Sequence, residues 1–454
     1  MAGIEEFIIQ DGILLEYDGY ECDVTVPDGV VMIGSRAFAD RDDVERVILP
    51  ESVRAIGCGA FMGCESLRKI NVHDGIEEID TGAFYLCPAL ADEKGFVIVR
   101  DVLYGYFGGE DEITVPDGVR VIDREAFSRT SVRRVSIPDS VTSVLDGAFY
   151  MCESLEKVTL PSGLTEISDR CFAWCESLEA VTVPDGVERI GCAACADCSA
   201  LSKITLPDSI KIIEDDAFEG CEALADGDGF TVVGDCLCSY DGDSACVRVP
   251  DGIRVIAKGA FEACSDLEEV VLPEGVTRIG ADAFAYCESL EKVVLPESAS
   301  AIGPGAFEGC TSLDTISLPR GMKYLSAYVF CNCTSLKSIK IPDGVVTVGM
   351  GAFEGCEALE TVSLGAALEL IDIGAFKRCS SLESVAVPDG VKRIHVDAFA
   401  YCTSLTRVSI GVGIEEIEYD AFLDCTSLSE VLLPEGSEAR VDRNAFRGSG
   451  IVKE

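Results

Sequence analysis

Residues 158–180 read VTLPSGLTEISDRCFAWCESLEA, and residues 270–292 read VVLPEGVTRIGADAFAYCESLEK. The same pattern is written seventeen times along the chain. Each copy is indexed by its aromatic: Phe38, Phe61, Phe84, Phe127, Phe149, Phe172, Cys195 in place of Phe, Phe218, Phe261, Phe284, Phe307, Phe330, Phe353, Phe376, Phe399, Phe422 and Phe446. Most steps are 23 residues, one is 22, one is 24 and two are 43. Five residues before each index position stands an aliphatic residue, from Ile33 and Ile56 to Ile417 and Val441. A fixed period in this range is the signature of a solenoid. One copy cannot bury its apolar face alone, so stacked neighbours must form the core.

Within a copy, SLEKVTLP (154–161) alternates inward Leu155, Val158 and Leu160 with outward Lys157 and Thr159, the period of a strand. Proline ends that strand because it has no N–H to donate, and Asp-Gly or Glu-Gly supplies a turn. A second short extended piece follows, as in VERI (187–190), and then a segment such as GADAFAYC (280–287), expected to form a tight helical turn. Successive strands are expected to stack in parallel with right-handed connections. The index aromatics are expected to form one buried column.

The core pattern IGxxAFxxCxSLxxVxLP resembles the BspA-like, or Treponema-type, leucine-rich repeat over residues 28–450. The resemblance implies a curved solenoid with a sheet on its concave side. It also implies a kinship with bacterial or protozoan surface proteins implicated in adhesion and host-protein binding. The expected fold is a single leucine-rich-repeat domain over 1–454, with about 17 coils of 23 residues, a parallel stacked sheet, short helical turns and three β-hairpin cassettes.

The cassettes lie near 6–27, 91–115 and 225–249, and a polar tail follows at 447–454. In each, the first aromatic (Phe7, Phe96, Phe230) stands 31 residues before the next index Phe. Alternating apolar residues around a Gly- or Asp-containing turn read as hairpins. They divide the array into blocks of three, five and nine coils. The first is expected to shield the N-terminal edge of the core, and the other two to protrude.

Lys and Arg number 36 against 80 Asp and Glu, a net charge of −44. Such a surface repels nucleic acid and anionic lipid and favours basic partners or cations. With 48% apolar residues the chain has material for a core. It contains no run of 18 apolar residues, so no membrane insertion is expected. MAGIEEFIIQDGILLEYDG (1–19) has no basic region leading into an apolar stretch, so a cytoplasmic location is expected as the chain stands. A secreted or cell-surface location is the alternative if a leader was removed.

Of 23 cysteines, fourteen stand three residues after the index position, among them Cys64, Cys175, Cys287, Cys333 and Cys425. Parallel side chains in a stack do not point at one another, so a row of small, buried, reduced thiols is expected. Cys171, Cys175, Cys192, Cys195 and Cys198 have spacings suggestive of zinc or an iron–sulfur cluster. Because Cys195 and Cys198 keep the register of the core Phe and the thiol row, they are read as core, with Trp174 compensating for the bulk missing at Cys195. No metal, cofactor or catalytic residue is expected. His73 and His395 are more than three hundred residues apart on a linear array, which leaves no assembled base and nucleophile.

Acidic residues recur ten positions before the index, as at Asp28, Glu51, Asp139, Asp185, Glu297 and Asp389. Aspartate is the favoured turn residue before Gly. Weak calcium binding by a stacked carboxylate row is the alternative. Outward strand positions carry Arg134, Lys157, Lys203 and Lys292 in one row, and Thr159, Thr182 and Thr205 in the next. These either pair with Glu156, Glu179, Glu291 and Glu360 or form a recognition surface.

The functional expectation is therefore a monomeric, non-catalytic protein-binding solenoid. Its partner would touch Lys157, Thr159, Thr182, Lys203 and Thr205, flanked by Tyr104 and Tyr240. Two alternatives remain: a carbohydrate-binding or cell-surface adhesion module using Tyr104, Tyr106 and Phe107, and an acidic nucleic-acid mimic that fills a basic protein groove.

Overall fold

The computed structural model describes residues 6–451. Residues 452–454 of the tail and the first five residues, part of the stretch read for a leader, lie outside the described residues. The chain divides into two compact units, 1–224 and 225–454. Both are stacks of coils of the expected period, about 19 turns altogether, because hairpin strands take rungs of their own.

In the first unit, the hairpin Phe7–Gln10/Ile13–Tyr17 leads in parallel into Met32–Ile33, Ala55–Ile56 and Glu78–Ile79. The hairpin Phe96–Val99/Val102–Tyr106 starts the next ladder, with Val121–Ile122 and Ser143–Val144. On another side of the coils, Glu112–Thr114, Arg134–Ser136, Lys157–Thr159, Ala180–Thr182 and Lys203–Thr205 form one sheet. The second unit repeats this plan. Its hairpin Phe230–Val233/Cys236–Tyr240 is followed by Val255–Ile256, Arg278–Ile279 and Ala301–Ile302, and a six-stranded ladder runs from Tyr324–Leu325 to Arg440–Val441.

The internal hairpins do not protrude, contrary to expectation. Leu103 pairs in parallel with Ile122, and Leu237 with Ile256. Tyr106 and Tyr240 take index positions, with ring centroids 5.7 Å from Phe127 and 5.2 Å from Phe261. A hairpin whose second strand matches the aliphatic spacing of a coil lowers its free energy by becoming a rung, because only there are its apolar side chains covered.

The index aromatics stack in separate runs and not in the one column expected: Phe38 to Phe84 and Phe127 to Phe172 in the first unit, with Cys195 interrupting the second run. Within the second unit they stack from Phe261 to Phe446, for example 5.5 Å between Phe330 and Phe353 and 5.1 Å between Phe353 and Phe376. Trp174 does not fill the space beside Cys195; it is 41% exposed at a corner.

That corner is not helical. Residues two before and two after the index adopt left-handed backbone, as with Gly59 and Gly63 (φ 61° and 73°) or Asp282 and Tyr286 (φ 55° and 59°). A left-handed residue on each side of the Phe breaks any right-handed helix. Helix is confined to the 3₁₀ turns Pro88–Leu90 and Glu222–Leu224, among the described residues. Coils are also joined at this corner: Phe353 N–H donates to Ala375 O at 2.8 Å.

Corner glycines additionally make room for neighbours. At Gly351 (φ +57°) an added Cβ would meet Tyr328 Cε1 at 2.5 Å. Gly351→Ala is expected to cost about 1–3 kcal/mol in urea unfolding. Adding Tyr328→Ala should recover the steric part of that loss and leave the part due to backbone conformation.

Candidate binding surface

Lys157, Thr159, Thr182, Lys203 and Thr205 are all exposed on one sheet face of the first unit. Arg134, Lys157, Ala180 and Lys203 follow one another in register, and Thr182 pairs with Thr205. The residues between them, Val158 and Val181, point into the core, so period-two alternation turns these side chains outward.

Charge pairing divides the basic row. Arg134 Nη2 lies 3.2 Å from Glu156 Oε2, Lys292 Nζ 2.5 Å from Glu269 Oε1 and Arg407 Nε 3.3 Å from Glu430 Oε2. These match the cross-strand pairing foreseen for the row, although Lys292 and Arg407 use different glutamates from those named. Lys157 and Lys203 make no ion pair among the described residues. Their ammonium groups and the threonine hydroxyls leave hydrogen-bond donors facing solvent.

Tyr104 and Tyr240 cannot flank this face as contact residues. They are 1% and 5% exposed. Tyr104 meets Phe84 edge-on, with ring centroids 5.3 Å apart, and Tyr240 lies against Phe261 in the second unit. Tyr106 is likewise buried, and of Tyr104, Tyr106 and Phe107 it is Phe107, at 40% exposure, that stays at the surface.

In the second unit the sequence reading missed a break. The ladder ending at Lys292–Val294 resumes only at Ser338–Lys340, and a single bridge, Lys292 to Thr315, touches the coil between. The corner ladder continues through it, with Phe307 N–H donating to Val329 O at 2.9 Å. One cleft of about 520 Å³ opens beside Lys292, Thr315 and Lys337. Another of about 700 Å³ opens beside Ser317, Arg320, Lys340 and Asp343. The available signal was Arg320, a base where most coils have a turn acid.

The thiol row has a local cause. All fourteen row cysteines direct Sγ at the carbonyl of the index residue one coil back, Tyr240 serving as index for Cys264, at 2.9–3.7 Å. Most of these carbonyls already accept a backbone N–H from their own coil, as Phe353 O does from Cys356, and the thiol of the next coil is a small apolar group that adds a second donor to the remaining lone pair. All 23 cysteines are unbridged. Within the CAACADC stretch (192–198), Cys195 and Cys198 are buried and Cys192 is exposed. Among the described residues, no group of three or more His, Cys, Asp or Glu is placed to share a metal ion.

Three turn carboxylates reach a following coil that lacks an acid at the same place. Asp139 Oδ1 accepts from Ser162 N–H at 2.8 Å and from its hydroxyl at 2.9 Å. Those bonds hold the Asp139 carboxyl below its ordinary pKa. Glu297 similarly accepts from Arg320 N–H, and Asp389 from Val412 N–H. His73, in the first unit, accepts from Gly75 N–H and contacts Pro50 O; His395, in the second, faces Glu418.

Stacked coils joined by short parallel strands, with one aliphatic and one aromatic anchor each, define a leucine-rich-repeat protein. The family model described as "BspA type Leucine rich repeat region (6 copies)" matches residues 20–94, 103–225, 237–358 and 323–452. The chain belongs to the BspA-type leucine-rich-repeat family.

A leucine rich cell surface protein from Faecalibacterium prausnitzii is 25% identical, over 89% of this chain and 93% of that one, with a TM-score of 0.35. A leucine-rich repeat protein from Bacteroides ovatus is 24% identical, over 99% of both chains, with a TM-score of 0.33. The T. pallidum Leucine Rich Repeat protein is 29% identical, over 43% of this chain and 77% of that one, with a TM-score of 0.31. No curated protein matches the chain. Among the described residues, no helix is long and apolar enough to cross a membrane.

Proposed function

We propose that this protein is a non-catalytic recognition scaffold whose partner is another protein, bound on the sheet face of the first unit. The supporting observation is the exposed set Lys157, Thr159, Thr182, Lys203 and Thr205, in which both lysines lack ion pairs while Arg134, Lys292 and Arg407, at the same row position in other coils, are paired with glutamates. Unpaired ammonium groups beside hydroxyls suit acidic or carbonyl-rich segments of a partner. Rigid repeats hold such groups in fixed register at a strand spacing of ~4.8 Å. The 23 unbridged thiols favour a reducing compartment.

The test begins with partners captured from the native cell and identified by mass spectrometry, followed by affinity measurement with purified partner. Lys157→Glu combined with Lys203→Glu is expected to weaken binding at least ~10-fold, the equivalent of ~1.4 kcal/mol. The cleft beside Arg320 and Lys340 supports a second location for the same activity. If Arg320→Glu with Lys340→Glu abolishes binding and the first pair does not, the surface lies on the second unit.

A further inference from the structure

The three hairpins are copies of one element, which allows the same position to be compared in different surroundings. Each pairs its strands with one bulged residue, Leu15, Tyr104 or Cys238. In the second hairpin, Tyr104 is 1% exposed against Phe84, and Val97 is 0% exposed in the core cluster that contains Phe84. The coil of Phe84 therefore covers the outer face of that hairpin. Arg100 Nη2 reinforces the contact by donating to His73 O at 2.8 Å.

In the first hairpin the same two positions are Ile8 and Leu15, and they are 44% and 45% exposed. Ile9 adds a third apolar side chain at 41%. A hairpin that merely closed the end of a solenoid would need a polar outer face. This one keeps the apolar residues that its internal copy buries beneath a coil.

The last coil has the complementary defect. Leu433 is 42% exposed where Leu272, at the same place in its coil, is 4%. Val441 is 37% exposed where Ile279 is 1%. The two ends differ in charge only in degree: residues 6–21 hold five acids and no base, while 428–450 hold four acids and three arginines, of which Arg440 and Arg447 already pair with Glu416 and Asp420 of the preceding coil.

We infer that the N-terminal hairpin of one copy docks on the last coil of a second copy, reproducing between chains the junction that Phe84 and Tyr104 make within one. The occupant of each face is thus a second copy of this chain, joined head to tail. This departs from the monomer expected from sequence. Because the two faces differ, the contact does not close on itself at a dimer, and assembly continues with concentration.

Sedimentation velocity on the full chain over a concentration series tests this. The mass should rise past two chains for the unaltered protein. A head variant, Ile8→Asp with Leu15→Asp, and a tail variant, Leu433→Asp with Val441→Asp, should each be monomeric. Because all four residues are exposed, melting temperatures should stay near that of the parent, which separates lost docking from lost folding. Mixed together, the two variants should form a 1:1 pair and nothing larger, since one intact head and one intact tail remain. A parent that stays monomeric at every concentration overturns the inference. So does a tail variant that still dimerises, which would place head against head, or a mixture that stays monomeric.

Discussion

Raising the pH from 8.5 towards 10 is expected to unfold the protein in a steep, multi-proton transition. Burial pushes the Cys64 and Cys287 thiols up to about 12 and the Cys264 thiol to about 11. It also drives Cys310, Cys333 and Cys379 well above the ordinary range. An unfolded thiol ionises near pH ~8.5. With the folded value raised, the stabilisation is fully present below the unfolded value and is lost as pH climbs towards the folded one. Each such thiol then costs roughly 1.4 kcal/mol per pH unit above ~8.5. The six together amount to ~8 kcal/mol one unit higher, within the range of the whole stability of an ordinary domain. Far-UV circular dichroism with a reductant present should show the transition between about pH 9 and 10. Native structure persisting through pH 11 would mean that the row thiols do not carry this linkage. Thiol labelling at neutral pH gives a companion result: Cys22, Cys58, Cys192 and Cys246 are exposed and should react first, the buried row only after denaturation.

Phe353→Ala is expected to cost about 3–5 kcal/mol, the range for a large buried aromatic. The ring is fully buried and stacked on both sides, by Phe330 and Phe376. A coil contacts only its neighbours, so a defect in mid-array also weakens the coupling that makes the stack unfold as one. Urea unfolding should therefore show a lower midpoint and a broadened or split transition, while Phe353→Leu should show a smaller loss and keep one transition. A cost below ~1 kcal/mol for the alanine variant would mean that the column is not a principal source of stability.

The coil period, the stacking of the phenylalanines, the thiol column and the outward Lys157, Thr159 and Lys203 were legible in the sequence because each depends on spacing within one repeat. A residue three after the aromatic lands in the same place in every coil, whatever lies further along the chain. The position-specific role of cysteine was only half legible. Small size and burial follow from register, but the carbonyl that each Sγ meets belongs to the preceding coil.

Other features depend on what packs against the element from outside, and only the tertiary structure decides them. Tyr104 and Leu15 occupy the same place in the same hairpin, yet one is core and the other surface, since a coil covers the first and nothing among the described residues covers the second. The left-handed corners, the break at Thr315 and the burial of Tyr240 have the same origin. Backbone conformation and exposure there are set by the neighbouring rung, whose hydrogen bonds and steric fit outweigh the weak local preferences of the residues concerned.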